Sequence, residues 1–127
     1  MKFELRLDAP IYLQMARILE DAIISGELKA DEKLPSVREL ARLSRTNPNT
    51  VQKALAILSD KGLIYTKRTA GKYVRAKEKQ VDEMRQQKAR AILKQAFSDL
   101  HALGCSDQEI QDLLTKENRD GTGSCQS

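Results

Sequence analysis

Residues 34 to 74 read LPSVRELARLSRTNPNTVQKALAILSDKGLIYTKRTAGKYV, and the order of signals in this stretch decides the fold. Ser36 and Glu39 have the spacing of a capping box, in which each side chain satisfies a backbone amide that the start of a helix leaves free. A short helix therefore begins at Val37 and runs to about Leu43, burying Val37, Leu40 and Ala41. After a turn around Ser44 to Thr46, Asn47 can accept from the next free amides. Pro48 takes the first helical position, where its missing donor costs nothing. Val51, Ala54, Leu55 and Leu58 then recur at helical spacing, and Lys61-Gly62 ends the helix. Leu63 to Thr66 and Lys72 to Val74 are β-prone runs around Lys67-Arg68-Thr69-Ala70-Gly71, which reads as a hairpin with a cationic tip. Two helices joined by a tight turn and followed by a basic hairpin predict a winged helix-turn-helix: mainly α, with a small β-hairpin that must lean on the helices to be stable.

Upstream, Pro10 fits the first turn of a helix with Asp8 or Ala9 at the cap position. Ile11, Met15, Ile18, Leu19 and Ala22 continue it to about Ser25, and Gly26 closes it. Glu27 to Leu34 reads as a polar connection. Downstream, a long helix is expected from about Glu78 to Leu103, with Val81, Met84, Ala89, Ile92, Leu93, Ala96, Phe97 and Leu100 on one broad face and Gly104 ending it. Ser106 with Glu109 forms a second capping box and starts a shorter helix, whose Ile110, Leu113 and Leu114 form a small stripe through about Glu117. The chain thus divides into a winged helix-turn-helix domain over residues 1–75, a helical pair over 76–117 and a polar, Gly- and Ser-containing tail over 118–127 that is expected to be disordered.

The net charge of +4 over 127 residues hides a strong asymmetry. Ten Lys and Arg against Glu39 and Asp60 give residues 33–75 a net of +8, whereas residues 1–32 carry −3 and residues 76–127 carry −1. Charge scattered at random over a solvated surface would be more even. Concentrated on a compact winged module, it suits duplex DNA.

A second helix lying across the major groove brings its first turn nearest the base edges. Asn49, Thr50, Gln52 and Lys53 lie away from the apolar face of that helix. Asn and Gln pair naturally with adenine, Thr with a hydrogen-bonding edge or a thymine methyl, and Lys with guanine or phosphate. Arg38 on the preceding helix and Arg45 in the turn can reach the flanking backbone or base edges, and the amides beside Asn47 suit a phosphate. At the wing, Lys67, Arg68 and Lys72, with Thr69 and Gly71 completing the tip, suit a minor groove whose negative potential deepens as it narrows.

Several of these motifs stand together in order: Pro10-Ile11-Tyr12, Gly26 with Leu28, Lys33-Leu34-Pro35-Ser36-Val37-Arg38-Glu39-Leu40-Ala41, Asn47-Pro48-Asn49-Thr50-Val51-Gln52-Lys53-Ala54 and Gly71-Lys72-Tyr73-Val74. The set resembles the GntR family of bacterial transcription regulators over residues 10 to 74. The Asn-Pro-Asn-Thr-Val-Gln run with a short two-helix remainder resembles the YtrA subfamily, which lacks the large ligand domains of its relatives. That resemblance implies a dimeric operator-binding repressor, often of an operon encoding an ABC transporter. It implies DNA contact by Arg38, Asn47, Asn49, Thr50 and the wing tip from Arg68 to Gly71. Ser44-Arg45-Thr46 departs from the family's usual Leu-Gly-Val-like turn, and Gln52 and Lys53 stand where many relatives carry Arg and Glu.

The long helix, about 40 Å at ~1.5 Å per residue, is too long for the small winged domain to cover. The shorter helix covers part of its apolar face. The rest, through Ile92, Leu93, Ala96, Phe97 and Leu100, is expected to pair with a second copy across an isologous two-fold interface, setting two recognition helices ~34 Å apart on a palindromic operator. No cofactor is expected. A single hairpin offers no obvious effector pocket, though a dimer cleft could form one.

His101 has Asp99 as its nearest carboxylate and no second His, which argues against a metal site. Cys105 and Cys125 lack a CxxC partner and read as reduced thiols of a cytoplasmic protein without a signal peptide or membrane span. One His, no Gly-rich nucleotide loop and no paired Cys ligands weigh against an enzyme. The competing reading is an architectural or assembly module that coats DNA or binds a protein. Asn49, Thr50 and Gln52 weigh against both forms, because coating needs cations more than amides and a protein interface core favours aromatic and aliphatic groups.

Overall fold

The computed structural model describes residues 1–68 and 71–120. In chain order they form α1 (Ile11–Ser25), α2 (Val37–Ser44), α3 (Pro48–Asp60), β1 (Ile64–Lys67), β2 (Gly71–Val74), α4 (Glu78–Ala102) and α5 (Asp107–Asp120). These fall into two compact units, Met1–Arg85 and the segment from Gln86 onward.

The first unit is built on the expected caps. Glu39 N donates to Ser36 Oγ at 3.1 Å while Ser36 N donates to Glu39 Oε1 at 3.4 Å, closing the capping box of α2. Asn49 N donates to Asn47 Oδ1 at 2.7 Å, and Pro48 opens α3. α1 stops at Gly26, whose φ of +88° is open to glycine at little cost. Between these helices lies one core: Met15, Leu19 and Ile23 from α1, Leu40 from α2, Val51, Leu55 and Leu58 from α3, with Leu63, Ile64, Val74 and Val81.

Several sequence expectations are corrected here. Pro10 is the residue before α1 rather than its first helical residue, and no side chain caps that end. Its extended backbone, ψ 125°, keeps it outside the helix. The start is instead organised by buried Gln14, whose amide accepts from Arg6 N at 2.7 Å and donates to Arg6 O at 2.7 Å and Ala9 O at 3.0 Å.

The stretch before α2 is more than a polar connection. Val74 N donates to Glu32 O and Leu34 N to Lys72 O, both at 2.9 Å, so residues around Lys33 line the free edge of β2. The hairpin pairs Ile64↔Val74, Tyr65↔Tyr73, Thr66↔Lys72 and Lys67↔Gly71, carrying the strands one pair further toward the tip than expected. Gly71 has φ +91°, and a Cβ there would come within 3.3 Å of Lys33 Cε. The expected tip residue Thr69 lies outside the described residues.

The compact winged unit also runs past residue 75 to Arg85, because the first turns of α4 pack on it through buried Val81 and partly buried Met84. In the second unit, Gly104, φ +93°, ends α4, and Ser106 and Glu109 close their capping box through Glu109 N to Ser106 Oγ at 3.2 Å and Ser106 N to Glu109 Oε1 at 3.2 Å. α5 continues to Asp120, into the stretch expected to be tail, since 118–120 hold no breaker and the first glycine is Gly121. Residues 121–127 lie outside the described residues.

Candidate nucleic-acid interface

On α3 the buried side chains Val51, Ala54, Leu55 and Leu58 take one face. Helical geometry puts Asn49 and Lys53 diametrically opposite them, with Gln52 and Thr50 on the two flanks. The exposures agree: Asn49, Gln52 and Lys53 are exposed and Thr50 is half-buried. The Lys53 ammonium lies 5.8 Å from the centre of the Tyr12 ring, which ties this face to α1. Asn47 is exposed, but its carbonyl oxygen is engaged as the helix cap, leaving its NH₂ group as the outward donor.

The turn between α2 and α3 is built without a glycine. Arg45 adopts the left-handed conformation, φ 56° and ψ 44°, which costs an L-residue about 1 kcal/mol. Thr46 N closes the turn onto Ala41 O at 3.0 Å. Buried Ser44 donates to Leu40 O at 2.6 Å, and its hydroxyl shares a 2.7 Å hydrogen bond with Thr46. These contacts offset the strain. The Arg38 and Arg45 side chains are exposed, and among the described residues no hydrogen bond or ion pair engages either.

The wing is more organised than a string of charges. Because paired Ile64 and Val74 are buried, the next pair, Tyr65 and Tyr73, faces the other way. The two rings stack with centroids 5.8 Å apart at 25°. The Lys67 ammonium sits 4.3 Å above the Tyr73 ring and the Arg75 guanidinium 5.1 Å from the Tyr65 ring, contacts worth about 0.5–1 kcal/mol each at exposed sites. Tyr65 Oη donates to Asp31 Oδ1 at 3.2 Å, and partial burial together with that carboxylate raises the phenol above its ordinary range. Asp31 itself has φ 64° and donates its backbone N–H to Val74 O at 2.9 Å. Lys72 donates to Thr66 Oγ1 at 3.2 Å, and Arg68 is exposed at the tip.

One cation of the basic block has a structural role. Lys61 Nζ lies 2.7 Å from Glu20 Oε2, a carboxylate almost wholly buried in α1. Sequence reasoning missed this pair because the two residues are 41 positions apart and neither belongs to a periodic pattern. The Tyr65–Tyr73 stack was within reach, since both tyrosines alternate with buried strand residues.

In the second unit Ile92, Leu93 and Phe97 are 70%, 53% and 36% exposed, Ala96 is exposed and Leu100 is half-buried. His101 meets Asp107 across the interhelical turn, 2.8 Å from Nε2 to Oδ1, while Asp99 instead accepts from Gln95 at 2.8 Å. Cys105 is half-buried there, and Cys125 lies outside the described residues. Among the described residues no cluster of three or more His, Cys, Asp or Glu could hold a metal, and no helix is long and apolar enough to cross a membrane.

A helix pair that turns the polar start of its second helix outward, followed by a cation-bearing hairpin, defines a winged-helix DNA-binding transcription regulator. The family described as "Bacterial regulatory proteins, gntR family" matches residues 11–74, and the chain belongs to it. It is 34% identical to the HTH-type transcriptional repressor YtrA of Bacillus subtilis, over 93% of this chain and 92% of that protein. A GntR family transcriptional regulator from Listeria monocytogenes has a similar structure, with TM-score 0.79 and 31% identity over 88% of this chain and 98% of the other. The DNA-binding domain of AraR, solved in complex with its operator ORX1, matches 58% of this chain and 90% of its own at TM-score 0.51 and 27% identity. These relatives are regulators rather than enzymes, and so is this protein.

Proposed function

We propose that this protein is a cytoplasmic, homodimeric repressor that reads a palindromic operator with the first turn of α3. The observation that carries this reading is the outward amide and hydroxyl face of Asn49, Thr50 and Gln52 beside Lys53, set on a capped helix start. Amides aimed at base edges discriminate sequence, whereas the cations around them supply affinity to any duplex. Arg38, Arg45 and the free donor of Asn47 serve the backbone on either side, and Lys67, Arg68, Thr69, Gly71 and Lys72 form the wing's share of the contact.

Dimerisation through Ile92, Leu93, Ala96, Phe97 and Leu100 is supported by the exposure of their apolar groups along a helix that continues beyond the winged unit. A second copy would bury that stripe and double the recognition surface. The likeness to a YtrA repressor over nearly the full length of both chains supports repression. The resemblance to the YtrA subfamily, rather than any observation on this chain, suggests an operon encoding an ABC transporter as the regulated target.

Fluorescence anisotropy tests this reading with two duplexes at two salt concentrations: the DNA upstream of the protein's own operon, and a scrambled version. Much tighter binding to the native duplex with two chains per site is the expected result. Equal affinity for both duplexes, falling steeply with salt, would establish non-specific coating instead.

A further inference from the structure

The base of α4 carries two side chains that reach back to the ends of other helices. Gln80 Nε2 donates to the carbonyl of Lys61, the capping residue of α3, at 3.2 Å. Arg85 Nη2 donates to the carbonyl of Ile24 in the last turn of α1 at 2.6 Å, and its Nη1 is held by Asp82 Oδ1 at 2.7 Å. Both acceptors belong to the final turns of helices, where carbonyls lack intrahelical donors and the helix dipole favours a cation.

Between these two prongs, on the same side of α4, sit buried Val81 and partly buried Met84. α1 and the end of α3 are themselves joined by the ion pair between buried Glu20 and exposed Lys61. The first turns of α4 are thus seated on an apolar base, with a polar bond on each flank, against the two helices that form the largest interhelical contact of the winged unit. All of these groups lie within the compact unit that ends at Arg85, and α4 continues unbroken from there to Ala102.

We propose that Gln80 and Arg85 are positioning residues for operator binding: by gripping the ends of α3 and α1 they fix the direction in which α4 leaves the winged unit. This rests on the dimer reading above. In a dimer joined through α4, that direction sets the separation of the two recognition helices and hence the gap between half-sites that the protein accepts. An unbraced α4 base would let each winged unit find its half-site independently, so half-site recognition would survive while the preference for one gap would fade.

The test compares the full-length wild type with Gln80→Ala/Arg85→Ala. The duplexes are a site selected by the wild type from a randomised pool, the same site with its central gap changed by one or two base pairs, and one half-site alone. Half-site affinity within about twofold of wild type shows that the winged unit is intact. The proposal expects affinity for the selected full site to fall about tenfold, about 1.4 kcal/mol, and the penalty for a changed gap to shrink. Arg85→Lys, which keeps a cationic donor, should restore most of the preference.

A double variant that keeps the wild-type gap preference would overturn the proposal. Equal losses on the half-site and the full site would do the same, since they would reflect a damaged winged unit. Wild-type protein bound as one chain per selected duplex, read by sedimentation, would instead remove the dimer reading on which the proposal stands.

Discussion

α3 and the distal part of α4 are both helices with an apolar stripe, and they treat it in opposite ways. Leu58 of α3 is fully buried among side chains from α1, α2 and the hairpin, whereas Ile92 of α4 is 70% exposed. The winged unit closes its core within one chain. The stripe on distal α4 remains open to solvent, at a cost that grows with the apolar area left in water. A stripe of this kind on an otherwise polar helix marks an interaction face, while a fully covered one marks structure.

Substituting into each stripe tests that contrast most directly, and the largest effect is expected in the winged unit. Leu58→Ala should cost about 3 kcal/mol, because a tightly packed core collapses poorly around a deleted side chain. Ile92→Ala should change the stability of that unit by less than about 0.5 kcal/mol. The chain has no tryptophan, and its three tyrosines, Tyr12, Tyr65 and Tyr73, all lie in the winged unit. Urea unfolding followed by tyrosine fluorescence therefore reports that unit by itself. Comparable losses from both variants would mean that the second unit shares the core of the first.

Phe97→Glu sharpens the comparison from the other side. A carboxylate placed in the open stripe should cost the proposed dimer contact about 2 kcal/mol or more, splitting the proposed dimer in light scattering and weakening operator binding. The tyrosine-reported unfolding midpoint should stay where it was. A variant that remains dimeric would place the interface elsewhere.

Within the winged unit, the same distinction separates residues that fold it from residues that use it. Arg38→Ala and Thr50→Ala should each cost about 1–3 kcal/mol of specific binding with little change in unfolding, because Arg38 is exposed and Thr50 half-exposed. Anisotropy on native and scrambled duplexes separates the two roles. Thr50→Ala should narrow the gap between the duplexes, and Arg38→Ala should weaken salt-dependent binding. Full native affinity in either variant would remove that residue from the contact surface.

What could be read from the sequence was what a few neighbouring residues determine. Ser36 with Glu39, Asn47 with Pro48, and the glycines at 26, 62 and 104 act through backbone groups within a turn of themselves, so their effect is written locally. The apolar periodicity of α3 likewise located its outward face. What escaped was long-range polar contact: Gln14 holding the amino-terminal segment, Glu20 reaching Lys61, Glu32 and Leu34 bonding the edge of β2, and Gln80 and Arg85 bonding the ends of α3 and α1. Any polar residue can make such bonds, and which one does is decided by packing rather than by spacing. The same limit applied at the wing. A count of cations gave Lys67 and Lys61 equal weight, yet one rests on a tyrosine ring and the other neutralises a buried carboxylate.

Arg45 is where folding and use meet in one residue, and the smallest expected effect there is the most discriminating. Its backbone occupies the left-handed region, where glycine is at ease, while its side chain is exposed between the two helices of the motif. Arg45→Gly should therefore relieve strain, which offsets the greater freedom glycine brings to the unfolded chain, and leave stability within about 1 kcal/mol of wild type in either direction. If the guanidinium grips a phosphate, the same change should weaken binding to native and scrambled duplexes alike and reduce the salt slope by about one. Unchanged DNA binding with a raised unfolding midpoint would mean that the strained arginine serves neither role. A clear fall in stability would instead show that the Arg45 stem contributes packing that its exposure conceals.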